Sequence, residues 1–334
     1  MQLNSEIMID NKMSKKSRLF CPVERSITNI FFSLTDYRNN YFTSDELIKI
    51  FEFYEGFDNR DQLIKWMKER PKGVANIHEV EGDKDIIVVI TTADFNGKYA
   101  KECRENIFKG SHMVFVESGG REDFYFNYSH NCNVGIRRAM EHHPKWVVIS
   151  NDDMVLKDSL DKLKEQLNLI DEDKDVVFSK PSEYHSFPVW ISKMRLKYYI
   201  RLTFSRKEKL LKLFRKFNIK YSIRGRIFDN KFSLLYHKLY FKNVFNFDHT
   251  GAFSIFSASF INKSNSTIFD ETYINNFEDV DVSFKLFKEQ NTAAKINYTI
   301  GGIVGGTLGT SIQRDIRSLA SEVYFSYKNL KDIL

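Results

Sequence analysis

From Asp85 onward, apolar runs only three to five residues long alternate with helical stretches, and several of them stop at a polar or acidic turn. Residues 86–90, 113–116, 146–149 and 176–178 have the length and β-branched content of buried strands. Helical patterns fill 99–108, 134–142 and 159–169. Further strands over 252–256 and 294–298 flank a helix at 281–288. Such alternation predicts an α/β fold, a doubly wound, Rossmann-like α/β/α sandwich around a mostly parallel sheet.

Two acidic clusters stand 126 positions apart, from Asp153 to Asp279. Ser150-Asn151-Asp152-Asp153 follows the apolar run Trp146-Val147-Val148-Ile149, and so falls where a strand stops. Ligands of open α/β sheets bind at that edge, and adjacent carboxylates there suit a hard divalent cation carrying phosphate oxygens. Phe277-Glu278-Asp279-Val280-Asp281 opens the 281–288 helix pattern. A helix dipole would keep a carboxylate there ionised and able to accept a proton.

Composition sets the remaining bounds. With 334 residues, 42% of them hydrophobic, the chain can bury one large α/β core with an appendage. Fifteen glycines and five prolines argue against low complexity. Cys21, Cys103 and Cys132 are far apart without CxxC spacing, which points to a reducing compartment rather than a disulfide framework. The N-terminus, with Glu6, Asp10, Lys12, Lys15 and Lys16, lacks the apolar core of a signal peptide, and no run approaches the ~18 apolar residues of a membrane span.

Net charge is +6, but residues 193–245 carry sixteen Lys and Arg against Glu208 and Asp229, a local +14 that leaves −8 for the rest. Twelve Phe and Tyr interleave with those cations. Leu196, Tyr199, Ile200, Leu210, Leu211, Leu213, Phe214 and Phe217 recur at helical spacing, as in interfacial helices on anionic headgroups. The expectation is a cytoplasmic protein attached peripherally to the inner face of the cell membrane through a basic helical insertion.

Ahead of the sheet, Thr43-Ser44-Asp45-Glu46 reads as a helix start and 61–69 as a second helix ended by Pro71 and Gly73. The expected organisation is a helical N-terminal region at 1–84, half of the α/β unit at 85–192, the insertion at 193–245, the other half at 246–310 and a C-terminal helix at 311–334.

Taken in order, the motifs form a succession. Thr91-Thr92-Ala93-Asp94-Phe95-Asn96 follows the first run, Glu117-Ser118-Gly119-Gly120 the second, then come Asn133-Val134-Gly135-Ile136-Arg137-Arg138-Ala139 and the Asn-Asp-Asp turn. Later come His249-Thr250-Gly251-Ala252-Phe253-Ser254-Ile255, Phe269-Asp270-Glu271 and the Glu278-Asp279 helix. This order resembles the family 2 glycosyltransferases of GT-A fold over about residues 85–192 and 246–309. Asn151 stands where many of that family have an acid, and Glu117 where Asp is commoner.

The resemblance implies a metal-dependent, inverting transfer of a sugar from a nucleotide-diphospho-sugar to an acceptor hydroxyl, on a glycan or a lipid-linked carrier. By residue, it implies that Asp153 ligates Mn²⁺ or Mg²⁺, and that Asp152, Glu117, Thr92, Asp94 and Asn133 hold the donor. It further implies that Gly251 and Ala252 lie on the acceptor side and that Asp279 is the base, with Glu278 its runner-up.

Each motif alone has a plainer reading: Asn-Asp-Asp as a turn, Asn133 as an N-cap, Gly135 as a packing site. His142, His143 and His249 lack partners at metal-ligand spacing and read as ordinary core or surface histidines. The run 301–309 is no P-loop, since it lacks the Gly-Lys-Ser/Thr ending, and reads as a closing loop or a plain connection.

Two rivals differ in class. A sugar-phosphate nucleotidyltransferase would carry a glycine-rich, lysine-bearing loop after the first strand, and 91–97 has none. A nucleic-acid-binding surface could use the basic segment, but no nucleic-acid module accompanies it, and no nucleic-acid partner is expected.

Overall fold

The computed structural model describes residues 46–120, 123–182, 185–194, 197–202, 242–303 and 311–330. Most of the basic insertion, the stretch 304–309 of the glycine-rich run and the helix-start residues Thr43 to Asp45 lie outside them.

At the centre is a seven-stranded sheet built from β1 (Asn76–Val80), β2 (Asp83–Thr92), β3 (Ser111–Glu117), β4 (Trp146–Asn151), β6 (Val176–Phe178), β10 (Phe253–Ser257) and β11 (Ala293–Lys295), in the order β1-β3-β2-β4-β10-β6-β11. Five strands run one way; β1 and β10 oppose them. The sheet is therefore mixed but mostly parallel.

Period-two alternation along β2 explains the two faces. Ile86, Val88 and Ile90 join one core with Cys103, Ile107 and Leu163, while Ile87 and Val89 join another with Ile136, Phe260 and Val282. The first face is covered by α3 (Lys98–Glu102), which continues as a π-helical turn over Cys103–Ile107, and by α5 (Leu160–Asn168). Covering the second are α4 (Tyr128–Met140), α6 (Ala258–Lys263) and α7 (Glu278–Lys288).

Helix α4 lies so close to the sheet that a Cβ on Gly135 would sit 2.3 Å from Val89 Cγ1 and 2.9 Å from Val116 Cγ2. Both valines are fully buried and stiff at χ1, so neither can yield. Gly135→Ala is expected to cost about 1–3 kcal/mol by overpacking, read as a lower midpoint in urea unfolding.

A third apolar cluster joins α1 (Leu47–Glu55) and α2 (Arg60–Glu69) to α8 (Ser311–Arg317) and α9 (Leu319–Asn329), and includes Val280 and Phe284 of α7. In place of a single C-terminal helix there are two, broken at Ser318. Tyr54 bridges the break: its hydroxyl donates to the Ile316 carbonyl at 2.5 Å and accepts from the Ala320 amide at 3.1 Å.

Several sequence expectations are corrected. Strand β1 was not expected, since Asn-Ile-His-Glu-Val is polar and half-exposed, as an edge strand can be. The helix expected at 99–108 changes winding at Cys103, where the Phe108 amide reaches the Cys103 carbonyl at 2.9 Å. Asn133 lies inside α4, whose N-cap is Asn127, accepting from the His130 amide at 2.8 Å. The strand expected over 294–298 stops at Lys295, and a separate β12 (Ile300–Gly302) pairs with β5 (Met154–Leu156).

The helical reading of the insertion fails at both its described ends. β7 (Pro188–Met194), β8 (Lys197–Leu202) and β9 (Lys242–Asp248) form an antiparallel sheet in the order β8-β7-β9. Lys-Tyr-Tyr-Ile-Arg-Leu is rich in aromatic and β-branched residues, which suit a pleated ladder as well as a helix face. Among the described residues no helix is long and apolar enough to cross a membrane.

Candidate active site

β2 is followed through α3 by β3 on one side, and β3 through α4 by β4 on the other. The strand order therefore reverses between β2 and β4, and such a switch point opens a crevice beyond the strands' carboxyl ends. Thr91 pairs with Asn151 at that edge, so Thr92 and Asp152 emerge side by side. The Thr92 hydroxyl donates to Asp152 Oδ2 at 2.7 Å and accepts from the Asp94 amide at 3.2 Å. Exposed Asp94 turns the loop by accepting from the Asn96 amide at 2.8 Å.

Burial pushes the Asp152 carboxyl up, and the Thr92 hydrogen bond offsets part of that. In Asp153, burial first and the Asp152 charge second raise the carboxyl to about 6. Beneath the pair lies Cys103 at the π-helical turn, its thiol 3.3 Å from the Asp152 carbonyl and held protonated by burial and the flanking carboxylates. Two adjacent, desolvated carboxylates form an oxygen donor set that fits a hard divalent cation such as Mg²⁺ or Mn²⁺.

Glu117, at the end of β3, accepts from the Phe95 amide at 2.9 Å and contacts His78 Nε2 at 2.9 Å. The Phe95 hydrogen bond, then His78, hold its carboxyl below the usual range. Glu117 therefore secures the 93–97 loop, where His78 stacks on Phe95 at 4.3 Å and Arg104 covers the same ring.

Asn133 stands apart from this edge. It is fully buried, its amide nitrogen donating to the Phe269 carbonyl and Glu271 Oε1 and its oxygen accepting from the Ile268 and Phe269 amides. Its side chain anchors 268–271 rather than facing an open space. Asp270 and Glu271 are likewise engaged in packing, with Tyr324 and Lys328 and with His130 respectively.

The segment 249–252 joins the two acidic clusters. The Asn151 amide donates to the Ala252 carbonyl at 3.3 Å, with buried Gly251 in a left-handed turn at φ 67. At the other end, His249 Nε2 lies 3.1 Å from Asp279 Oδ2, an ion-pair distance at an angle short of a hydrogen bond, and its Nδ1 has no hydrogen-bond partner. The Thr250 amide donates to Ser283 Oγ of α7 at 3.0 Å.

Glu278 and Asp279 have diverged. Burial first, and the Asp279 charge second, push the Glu278 carboxyl well above its usual range. Burial also opposes ionisation of Asp279, but the His249 charge and the Val280 amide outweigh it and hold Asp279 low. Just before them, Asn276 at φ 116 and Phe277 at φ 69 are left-handed without being glycine, a strain that structures retain where the surroundings over-determine it.

One cation links the clusters electrostatically. Arg314, exposed on α8, lowers both Asp153 and Glu278 by its charge. Neither Arg314 nor the His249 contact was foreseen from sequence; the only signal was that His249 directly precedes the 250–252 segment.

The raised Glu278 carboxyl has a stability consequence. Its folded pKa lies above the unfolded value of 4.5, so its contribution is complete below about pH 4.5 and is lost as pH rises from there through the folded value. Glu278→Gln, which stays neutral, is expected to flatten the fall in urea-unfolding stability across that window.

No protein-family model matches the chain, and among curated proteins no significant match is found. Fold and site together define the class: a mixed α/β protein with an acidic pair at the switch point of its sheet and a second acidic pair at the start of α7, the segment 249–252 touching both clusters.

Proposed function

We propose that the chain is a metal-dependent, inverting glycosyltransferase of the GT-A type that uses a nucleotide-diphospho-sugar. The observation that carries this reading is that one short segment, 249–252, touches both acidic clusters: the Ala252 carbonyl accepts from the Asn151 amide at the end of β4, and His249 lies 3.1 Å from Asp279 on α7. The reversed strand order beside Asp152 supports it further.

On this reading Asp153 holds Mn²⁺ or Mg²⁺, with Asp152 and Thr92 beside it toward the donor and Glu117 shaping the loop that meets the nucleoside. A divalent cation held there by Asp153 would supply charge stabilisation to a departing diphosphate. Arg314 adds a protein cation facing the same space. Asp279, ionised and steadied by His249, takes the proton of the acceptor hydroxyl as its oxygen bonds to the anomeric carbon. The bond from that carbon to phosphate breaks on the opposite face, which inverts the centre. With Glu278 pushed toward its neutral form and Asp279 held low, Asp279 is the group that accepts the proton.

Peripheral attachment to an anionic membrane belongs to the same reading. Its support is the +14 charge of 193–245 with twelve interleaved aromatic residues. The test of function is incubation with a panel of nucleotide sugars and Mn²⁺. Release of nucleoside diphosphate with a sugar product of inverted anomeric configuration is expected; a retained configuration would exclude the mechanism.

A further inference from the structure

At the opposite end of the sheet, three ligand-type side chains that the proposed chemistry does not use come together. Glu79 sits near the end of β1, His112 near the start of β3, and His142 in the turn after α4. His112 Nε2 and His142 Nε2 lie 2.9 and 2.7 Å from the same oxygen, Glu79 Oε2. One ligand atom from each residue lies within 4.8 Å of the others.

We propose that Glu79, His112 and His142 form a structural site for a Zn²⁺-class divalent cation, separate from the acidic edge. Two imidazoles and one carboxylate suit Zn²⁺ or Co²⁺, whereas Mg²⁺ prefers oxygen ligands throughout.

Features around the triad fit that role. His112 is completely buried, and its Nδ1 has no hydrogen-bond partner; that atom lies 3.5 Å from Glu81 Oε2. A carboxylate behind an imidazole whose other nitrogen faces the cluster is the arrangement that orients metal-binding histidines. Arg138 Nε holds the second Glu79 oxygen, Oε1, at 2.6 Å, which leaves Oε2 facing the imidazoles. A cation there would tie β1, β3 and the α4–β4 turn together. β1 is the edge strand of the sheet and packs against β3 alone within it, so that edge gains most from a tie.

The test uses the full chain stripped with chelator and titrated with Co²⁺ and with Zn²⁺. Expected are one Co²⁺ per chain with the visible absorption of a four-coordinate nitrogen and oxygen site, and a higher Tm with Zn²⁺. Both should vanish in His142→Gln and persist in Asp153→Asn. Glu81→Gln, at an exposed position, should bind Zn²⁺ about tenfold more weakly while folding normally. Unchanged binding in both His142→Gln and Glu81→Gln, or loss of the Co²⁺ signal in Asp153→Asn instead, would overturn the proposal. So would no Co²⁺ uptake by the folded wild type, which would leave the triad as a hydrogen-bonded cluster.

Discussion

Asp279→Asn is expected to slow sugar transfer by about a hundredfold to ten-thousandfold, the usual worth of a positioned proton acceptor, while the nucleotide sugar binds as before. The amide preserves shape and cannot take a proton. Its effect is separable from that of Asp152 or Asp153, because Asp279 is carried by α7, with His249 Nε2 3.1 Å from its Oδ2, whereas Asp152 and Asp153 follow β4. Steady-state kinetics should therefore show the loss in kcat, and isothermal titration with the donor should show none. Glu278→Gln removes a carboxyl that burial and the Asp279 charge already push toward its neutral form, and should fall far less. If the two variants were equally impaired, the assignment of base and neutral neighbour would be wrong.

Asp281→Ala is expected to destabilise the fold by about 3 kcal/mol, the scale for removing one partner of a buried charged network. Asp281 is buried on α7 and accepts from Tyr273 Oη at 3.1 Å, Lys328 Nζ at 2.7 Å and Asn329 Nδ2 at 2.6 Å. Lys328 can fall back on Asp270 at 2.8 Å, but the Tyr273 hydroxyl is sealed from water and would be left without an acceptor. Because α7 also carries Asp279, the same change should loosen the proposed base. Urea unfolding checks the first effect; a loss below about 0.5 kcal/mol would mean that the network is screened like a surface pair.

The central strands were legible because β2, β3 and β4 are buried on both faces and therefore read as unbroken apolar runs. β1 was not, since an edge strand with one exposed side need not be apolar. At 197–202 aromatic and aliphatic residues among cations satisfy a helical period and a strand equally, and only pairing with β7 decides between them. The two acidic pairs could be located because each follows a local signal, a strand end or a helix start. What joins them could not: the His249 contact depends on how β9 and β10 deliver one loop to α7. The Glu79 cluster was hidden for the same reason, its histidines lying 33 and 63 positions from the carboxylate. Asn133 shows the converse, a motif residue whose position in the chain was clear while its amide proves to be used entirely by the protein's own backbone and Glu271.

The account rests on a nucleoside diphosphate and a divalent cation meeting at Asp153, and thermal unfolding tests that most directly. Wild type and Asp153→Asn would be melted with UDP, GDP, CDP and dTDP, each with and without Mn²⁺. A ligand at a hundred times its Kd stabilises the folded state by about 2.7 kcal/mol. The account predicts a rise in Tm for one nucleotide that requires Mn²⁺ and disappears in the variant. A folded wild type that responds to none of the four, with or without Mn²⁺, would contradict it.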